Sequence, residues 1–182
     1  MKQLLLLLTL FSAAYGADWP QFRGNDALTG VSTEAIGEKP SLLWAYETKE
    51  KIQTQAAIAG NTAFISAEKK IFALELSSGK LLWKFEKPDW QPSPSGSIKS
   101  SPLVSGGALY FGTASGKFYA LDSSSGRLKW SFDAESNIVT SPIQKDDKVL
   151  FGTYAGNLYS LNKADGKSAW MLEFGIPIYA SP

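Results

Sequence analysis

The chain has 182 residues, no cysteine and no histidine, and 18 basic against 17 acidic side chains, for a net charge of +1. Without Cys or His there is no disulfide, no zinc site of the Cys/His kind and no Ser-His or Cys-His nucleophile pair. Near-neutral charge, with no long run of one sign, offers no electrostatic footprint for nucleic acid.

In chain order, residues 1–16 read as an export signal: Lys2 supplies positive charge, Leu4 to Phe11 is apolar, and Ala14-Tyr15-Gly16 offers small residues for cleavage. The apolar run is shorter than the roughly 20 residues a membrane span needs. The expectation is a mature chain starting near Ala17, periplasmic or extracellular, with no integral membrane span after signal cleavage. Residues 17–41 read as an N-terminal arm. Its Asp18-Trp19-Pro20-Gln21-Phe22-Arg23-Gly24 is expected to run extended across the body, held down by Trp19 and Phe22, rather than to form a ligand site.

Residues 42–182 are repetitive. Trp44, Trp83, Trp130 and Trp170 stand at steps of 39, 47 and 40 residues. Three of them end copies of one phrase: Leu74-Glu75-Leu76-Ser77-Ser78-Gly79 before Trp83, Leu121-Asp122-Ser123-Ser124-Ser125-Gly126 before Trp130, and Leu161-Asn162-Lys163-Ala164-Asp165-Gly166 before Trp170. Self-similarity at this period means one supersecondary unit reused. Residues 42–47 read as an orphan outer strand that closes the last unit of a ring. The first unit (53–86) then divides into strands Ala56–Ala59, Ala63–Ser66, Ile71–Leu76 and Leu81–Phe85. The second (98–133) divides into Ile98–Val104, Leu109–Thr113, Phe118–Asp122 and Leu128–Phe132. The third (138–173) divides into Ile138–Ile143, Val149–Thr153, Leu158–Asn162 and Ala169–Leu172. Gly- and Ser-rich turns punctuate all three.

In the fourth strand of the second unit, Leu128, Trp130 and Phe132 share one face and Arg127, Lys129 and Ser131 the other. The third strands, such as Phe118-Tyr119-Ala120-Leu121, are apolar on both faces, as befits strands between neighbouring sheets. The reading is all-β: a β-propeller of four-stranded antiparallel blades, about three of an expected seven or eight. Residues 176–182 begin a further blade, because Ser181-Pro182 repeats Ser101-Pro102 and Ser141-Pro142 at steps of 40 residues. Three blades and a beginning leave raw sheet edges, so the chain reads as the N-terminal part of a longer protein.

The phrase Ala120-Leu121-Asp122, a turn ending at Gly126, a basic residue and Trp130 resembles the tryptophan-docking repeat of pyrroloquinoline-quinone-type (PQQ-like) propellers. That repeat recurs in quinoprotein alcohol dehydrogenases and in the exported lipoprotein that scaffolds outer-membrane protein assembly. The lead from Asp18 to Gly24 also looks like that of exported bacterial members. The resemblance implies that Trp44, Trp83, Trp130 and Trp170 dock onto the next blade and that Gly79, Gly126 and Gly166 close the outer hairpins. Glu75 and Asn162 depart from the acidic position that Asp122 fills.

Two functions follow from the resemblance. One is a non-enzymatic scaffold with a protein partner at the propeller face, no cofactor, and no catalytic, cofactor-binding or metal residue in this segment. The other is a quinone-dependent dehydrogenase, whose PQQ and calcium ligands would lie mostly in further blades. Such enzymes sandwich the quinone between a tryptophan and a vicinal disulfide, which this cysteine-free chain cannot supply. Asp146-Asp147 is the acidic pair of the segment and sits where a turn former is expected. Paired catalytic carboxylates for glycoside hydrolysis are not repeated at the inner-strand starts, which carry Gln55, Ser100 and Thr140. The insertion behind the 47-residue step, Lys87 to Gly96, holds Trp90, Gln91, Pro92 and Pro94. Proline stiffens such a loop, and a tryptophan outside the repeat is a favoured contact anchor. These four residues are the expected interaction loop.

Overall fold

The computed structural model describes residues 18–32, 39, 41–86 and 97–181. The turns of the repeat cut the described residues into twelve strands. The first sheet holds β1 (Ala57–Ala59), β2 (Thr62–Ala67), β3 (Lys70–Glu75) and β4 (Leu81–Glu86). The second holds β5 (Leu103–Ser105), β6 (Ala108–Gly112), β7 (Lys117–Asp122) and β8 (Leu128–Asp133). The third holds β9 (Ile143–Lys145), β10 (Lys148–Gly152), β11 (Asn157–Asn162) and β12 (Ser168–Glu173). Each is a four-stranded antiparallel meander in sequence order. The inner strands β1, β5 and β9 touch in succession, so the sheets fan out from one edge as propeller blades do.

Alternation divides each blade's side chains between two seams. From β6, Leu109 and Phe111 pack with Phe64 and Ile71 of the first blade. Tyr110, between them, points the other way and packs with Val149 and Phe151 of the third. All of β6 is therefore buried. The third strand behaves likewise: Phe118 stacks on Phe151 with centroids 4.2 Å apart. Such pairs contribute about 0.5–1.5 kcal/mol beyond area burial.

Three details differ from the sequence reading. The inner strands of the second and third blades are shorter than 98–104 and 138–143, starting only at Leu103 and Ile143. Pro102 and Pro142 have no N–H for a ladder, and a side chain takes the ladder's place: Ser100 Oγ accepts from Gly112 N (2.7 Å) and donates to Gly112 O (3.1 Å). Thr140 does the same with Gly152.

Second, every blade has a β-bulge just before its tryptophan, where Ala73 pairs with Trp83 but Leu74 with Leu81, and likewise at Ala120/Leu121 and Ser160/Leu161. The skipped residues Leu82, Lys129 and Ala169 break strict alternation. Hence Trp130 and Phe132 are half-buried, whereas Leu128 is 46% exposed.

Third, residues 42–47 form no strand. Trp44 and Tyr46 pack against Phe72 and Leu74 of the first blade, while Leu42 and Leu43 stand in solvent.

Candidate functional site

Each seam is built from a tryptophan and the glycine turn of the following blade. The turn closes by an N–H of the glycine to a carbonyl four residues back, as from Gly126 to Asp122 (2.8 Å). It leaves the carbonyl of its second residue free, and the incoming indole takes it. Trp44 Nε1 donates to Leu76 O (2.8 Å), Trp83 Nε1 to Ser123 O (3.0 Å) and Trp130 Nε1 to Lys163 O (2.9 Å). The rings lie against Gly79, Gly126 and Gly166, where an added Cβ would stand 2.5–2.6 Å from an indole carbon. Phe64 and Tyr110, at equivalent places, meet Trp83 and Trp130 at the same 5.8 Å and 46°. Trp170 has no such seat among the described residues and is 42% exposed.

A second device went unread in the sequence. The Ser-Pro serines form a relay along the inner-strand starts: Ser101 Oγ accepts from Gln55 N (3.0 Å), Ser141 Oγ from Ser101 N (3.0 Å), and Ser181 Oγ from Ser141 N (2.9 Å). Its signal in the sequence is the recurrence of Ser-Pro at steps of 40 residues.

The arm crosses the inner edges of all three blades. Trp19 exchanges both backbone hydrogen bonds with Ile58, and Val104 N donates to Pro20 O (2.7 Å). Asp18 accepts from Gly60 N, and Asp26 accepts from Gln21 Nε2 and Gln144 Nε2. Lys163 joins this network by donating to Ser105 Oγ, Gln144 Oε1 and Asp146 O at 2.8–3.0 Å. Its ammonium stands in the wall of a cavity of about 420 Å³ between the second and third blades, beside Tyr110, Lys129 and Asn162. Burial pulls the Lys163 pKa down and, for Tyr110, pushes the phenol up to about 12.

The opposite face gathers the links between blades and the second-to-third strand turns. Ala134 N donates to Gly116 O, Phe174 N to Gly156 O, and Ile98 N to Glu68 O. The expected interaction loop, with Trp90, Gln91, Pro92 and Pro94, lies outside the described residues, but its flanks emerge on this face. There Lys70 pairs with Glu50 and approaches Glu86 at 3.8 Å. The Lys70 contact holds the Glu50 carboxyl below its ordinary value, and Glu50 holds the Lys70 ammonium above its own.

A quinone-and-calcium centre can be tested against the donors present. Among the described residues no three acidic side chains converge. Asp146 accepts Lys163 through its carbonyl, and Asp147 is paired with Lys148 at 2.6 Å. Trp83 and Trp130 are committed to seams. The described residues do not fit that group.

Comparison with known proteins places this geometry. A search of curated proteins gave no match. The family described as outer membrane protein assembly factor BamB matches residues 34–177. BamB from Moraxella catarrhalis is 26% identical with a TM-score of 0.63, over 73% of this chain and 40% of that one. Quinohemoprotein alcohol dehydrogenase from Comamonas testosteroni is 18% identical at a TM-score of 0.75, over 86% of this chain and 27% of that one. The computationally designed Ika4 protein is 16% identical at 0.65, over 80% and 86%. The last two show likeness of fold alone, and the chain spans less than half of both natural relatives. With its repeated glycine turns, seated indoles and a family match over most of its length, the chain belongs to the BamB-like family of PQQ-type β-propellers.

Proposed function

We propose that this protein is an exported, non-enzymatic propeller that acts as a protein-binding scaffold. The observation that carries this reading is how the indoles are used. Trp44, Trp83 and Trp130 each spend their ring on a glycine turn and their N–H on a carbonyl. None of these three is left to floor a cofactor, and the chain has no cysteine to cover one. The family's description as an outer membrane assembly factor supports a partner that is itself a protein. The reading for residues 1–16 as a cleaved signal places that partner outside the cytoplasm.

The partner surface is the face that carries the interblade links. The expected interaction loop with Trp90, Gln91, Pro92 and Pro94 lies between Glu86 and Ser97 in the chain, and among the described residues this face carries the Glu50–Lys70–Glu86 charges and the half-exposed Tyr154. Trp90→Ala is expected to weaken capture of the partner without lowering thermal stability; equal loss of both would assign Trp90 to packing. Titration of the full-length protein with pyrroloquinoline quinone and calcium is expected to leave the quinone spectrum unchanged. Stoichiometric quinone binding with dye-linked alcohol oxidation would overturn the scaffold in favour of a dehydrogenase.

A further inference from the structure

Two copies of one seam stand side by side in this chain, and they differ in chemistry. The cavity of about 420 Å³ lies in the seam between the second and third blades. Both of its walls belong to complete four-stranded sheets, β5–β8 and β9–β12. The seam between the first and second blades is built the same way, with Phe64 meeting Trp83 as Tyr110 meets Trp130, at 5.8 Å and 46°. A residue that differs between the two seams is therefore not dictated by docking.

The differences gather in the lining of this cavity. Tyr110 stands where the first blade has Phe64, Lys129 where it has Leu82, and Lys163 where the second blade has Ser123. Asn162 takes the place of the Asp122 carboxylate. Two carboxylates are also gained, Asp147 for Gly107 and Asp165 for Ser125. Each is already matched by a lysine next to it in the chain. Asp147 pairs with Lys148 at 2.6 Å, and Asp165 accepts the Lys167 N–H at 3.1 Å and faces its ammonium at 3.5 Å. The charge left over in the lining is positive.

The uncommitted groups are donors. Lys163 donates to neutral oxygens only, those of Ser105, Gln144 and Asp146. Among the described residues Lys129 has no hydrogen bond or ion pair, and the Asn162 side chain has no hydrogen bond. Tyr110 is 2% exposed, yet its hydroxyl has only the 3.4 Å contact with Lys163 O, a carbonyl that Trp130 Nε1 already occupies at 2.9 Å. A buried hydroxyl without a good partner is costly, and the first seam does without one. An ammonium, a phenol and an amide in one lining match a carboxylate, which brings a single charge and two accepting oxygens. The volume suits a small organic molecule rather than a folded partner.

We infer that the cavity between the second and third blades binds a small organic carboxylate through Lys129, Tyr110 and Asn162, in the positive field of Lys163. The site is separate from the scaffold reading, because it lies on the face opposite the interblade links and leaves the seam tryptophans in place.

The test is calorimetric titration of the full chain with sodium glucuronate and, separately, sodium hexanoate, at ionic strength held constant by sodium chloride, with glucose and inorganic phosphate in parallel. Saturable binding of at least one carboxylate is expected, and none of glucose. Lys129→Leu and Tyr110→Phe each restore the residue that the first blade carries, so both are expected to melt with the parent. Lys129→Leu is expected to bind about tenfold more weakly, from loss of a charge-assisted hydrogen bond. Tyr110→Phe is expected to bind about threefold more weakly, from loss of a neutral one. Lys80→Leu, which removes an exposed ammonium outside the cavity, is expected to leave affinity unchanged. No saturable binding of either carboxylate, a response to phosphate alone, unchanged affinity in both cavity variants, or an equal loss in Lys80→Leu would overturn the proposal.

Discussion

The Trp130 indole rests so closely on Gly166 that a Cβ there would lie 2.5 Å from its Cε3 atom, and the same indole donates to the carbonyl of Lys163. One side chain thus reads two features of the neighbouring blade, the absence of a side chain and the direction of a carbonyl. The contact is both seam and register.

The glycine requirement can be separated from backbone strain. Gly126→Ala sets a Cβ 2.6 Å from Trp83, at φ 72°, and is expected to cost about 2–4 kcal/mol from strain and overpacking together. Gly107 has a similar φ of 74° but nothing within 4 Å of a built Cβ, so Gly107→Ala is expected to cost only about 1–2 kcal/mol. Urea denaturation of the two variants measures the difference.

The serine relay predicts an asymmetric response. Ser141→Ala leaves the buried Ser101 N–H without its acceptor at 3.0 Å and is expected to destabilise by about 1–3 kcal/mol. Ser141→Thr keeps the oxygen and is expected to lose much less. Thermal melts of both variants check whether the hydroxyl, rather than the volume, is what matters.

Tyr110 predicts an alkaline limb. Burial raises its phenol to about 12, so the folded state holds the proton after the unfolded chain has lost it near pH 10. Its contribution is therefore complete below pH 10 and declines as pH rises towards 12. Tyr110→Phe, which installs the ring that Phe64 already uses in the first blade, is expected to flatten that decline in a pH series of denaturant midpoints. Stability at pH 7 changes little, because the hydroxyl makes only a 3.4 Å contact with Lys163 O.

Asp122 predicts the acid limb. The hydroxyls and amides of Ser124 and Ser125 converge on its Oδ1 and lower the carboxyl to about 2. The stabilisation is present above the ordinary carboxylate range and is lost as pH falls through it towards 2. Asp122→Asn is expected to remove that part of the acid slope in a pH series of thermal midpoints. Asn162, neutral at the equivalent turn, shows that the fold accepts the substitution.

Periodicity and turn chemistry made most of the blade strands legible, since Gly126 and its counterparts mark turns whatever surrounds them. Strict alternation predicts the half-buried Trp130 and Phe132 but fails at Leu128, which is exposed. A bulge depends on pairing with β7, which local pattern does not encode. The inner strands came out too long for a related reason: proline removes a donor, but only the facing Gly112 reveals that Ser100 stands in for it. The arm's aromatic lead was visible, whereas the backbone exchange of Trp19 with Ile58 was not. Which strand edge an arm meets is a property of neighbours distant in the chain.

By itself, then, the sequence determined the blade: four strands, a glycine turn and a tryptophan, because these follow from interactions within some 40 residues. Tertiary structure decided what each repeated residue meets. Trp83 and Trp130 each find a carbonyl and a glycine in the blade that follows. Seating requires that second blade, so burial is conferred by the neighbour rather than by the residue.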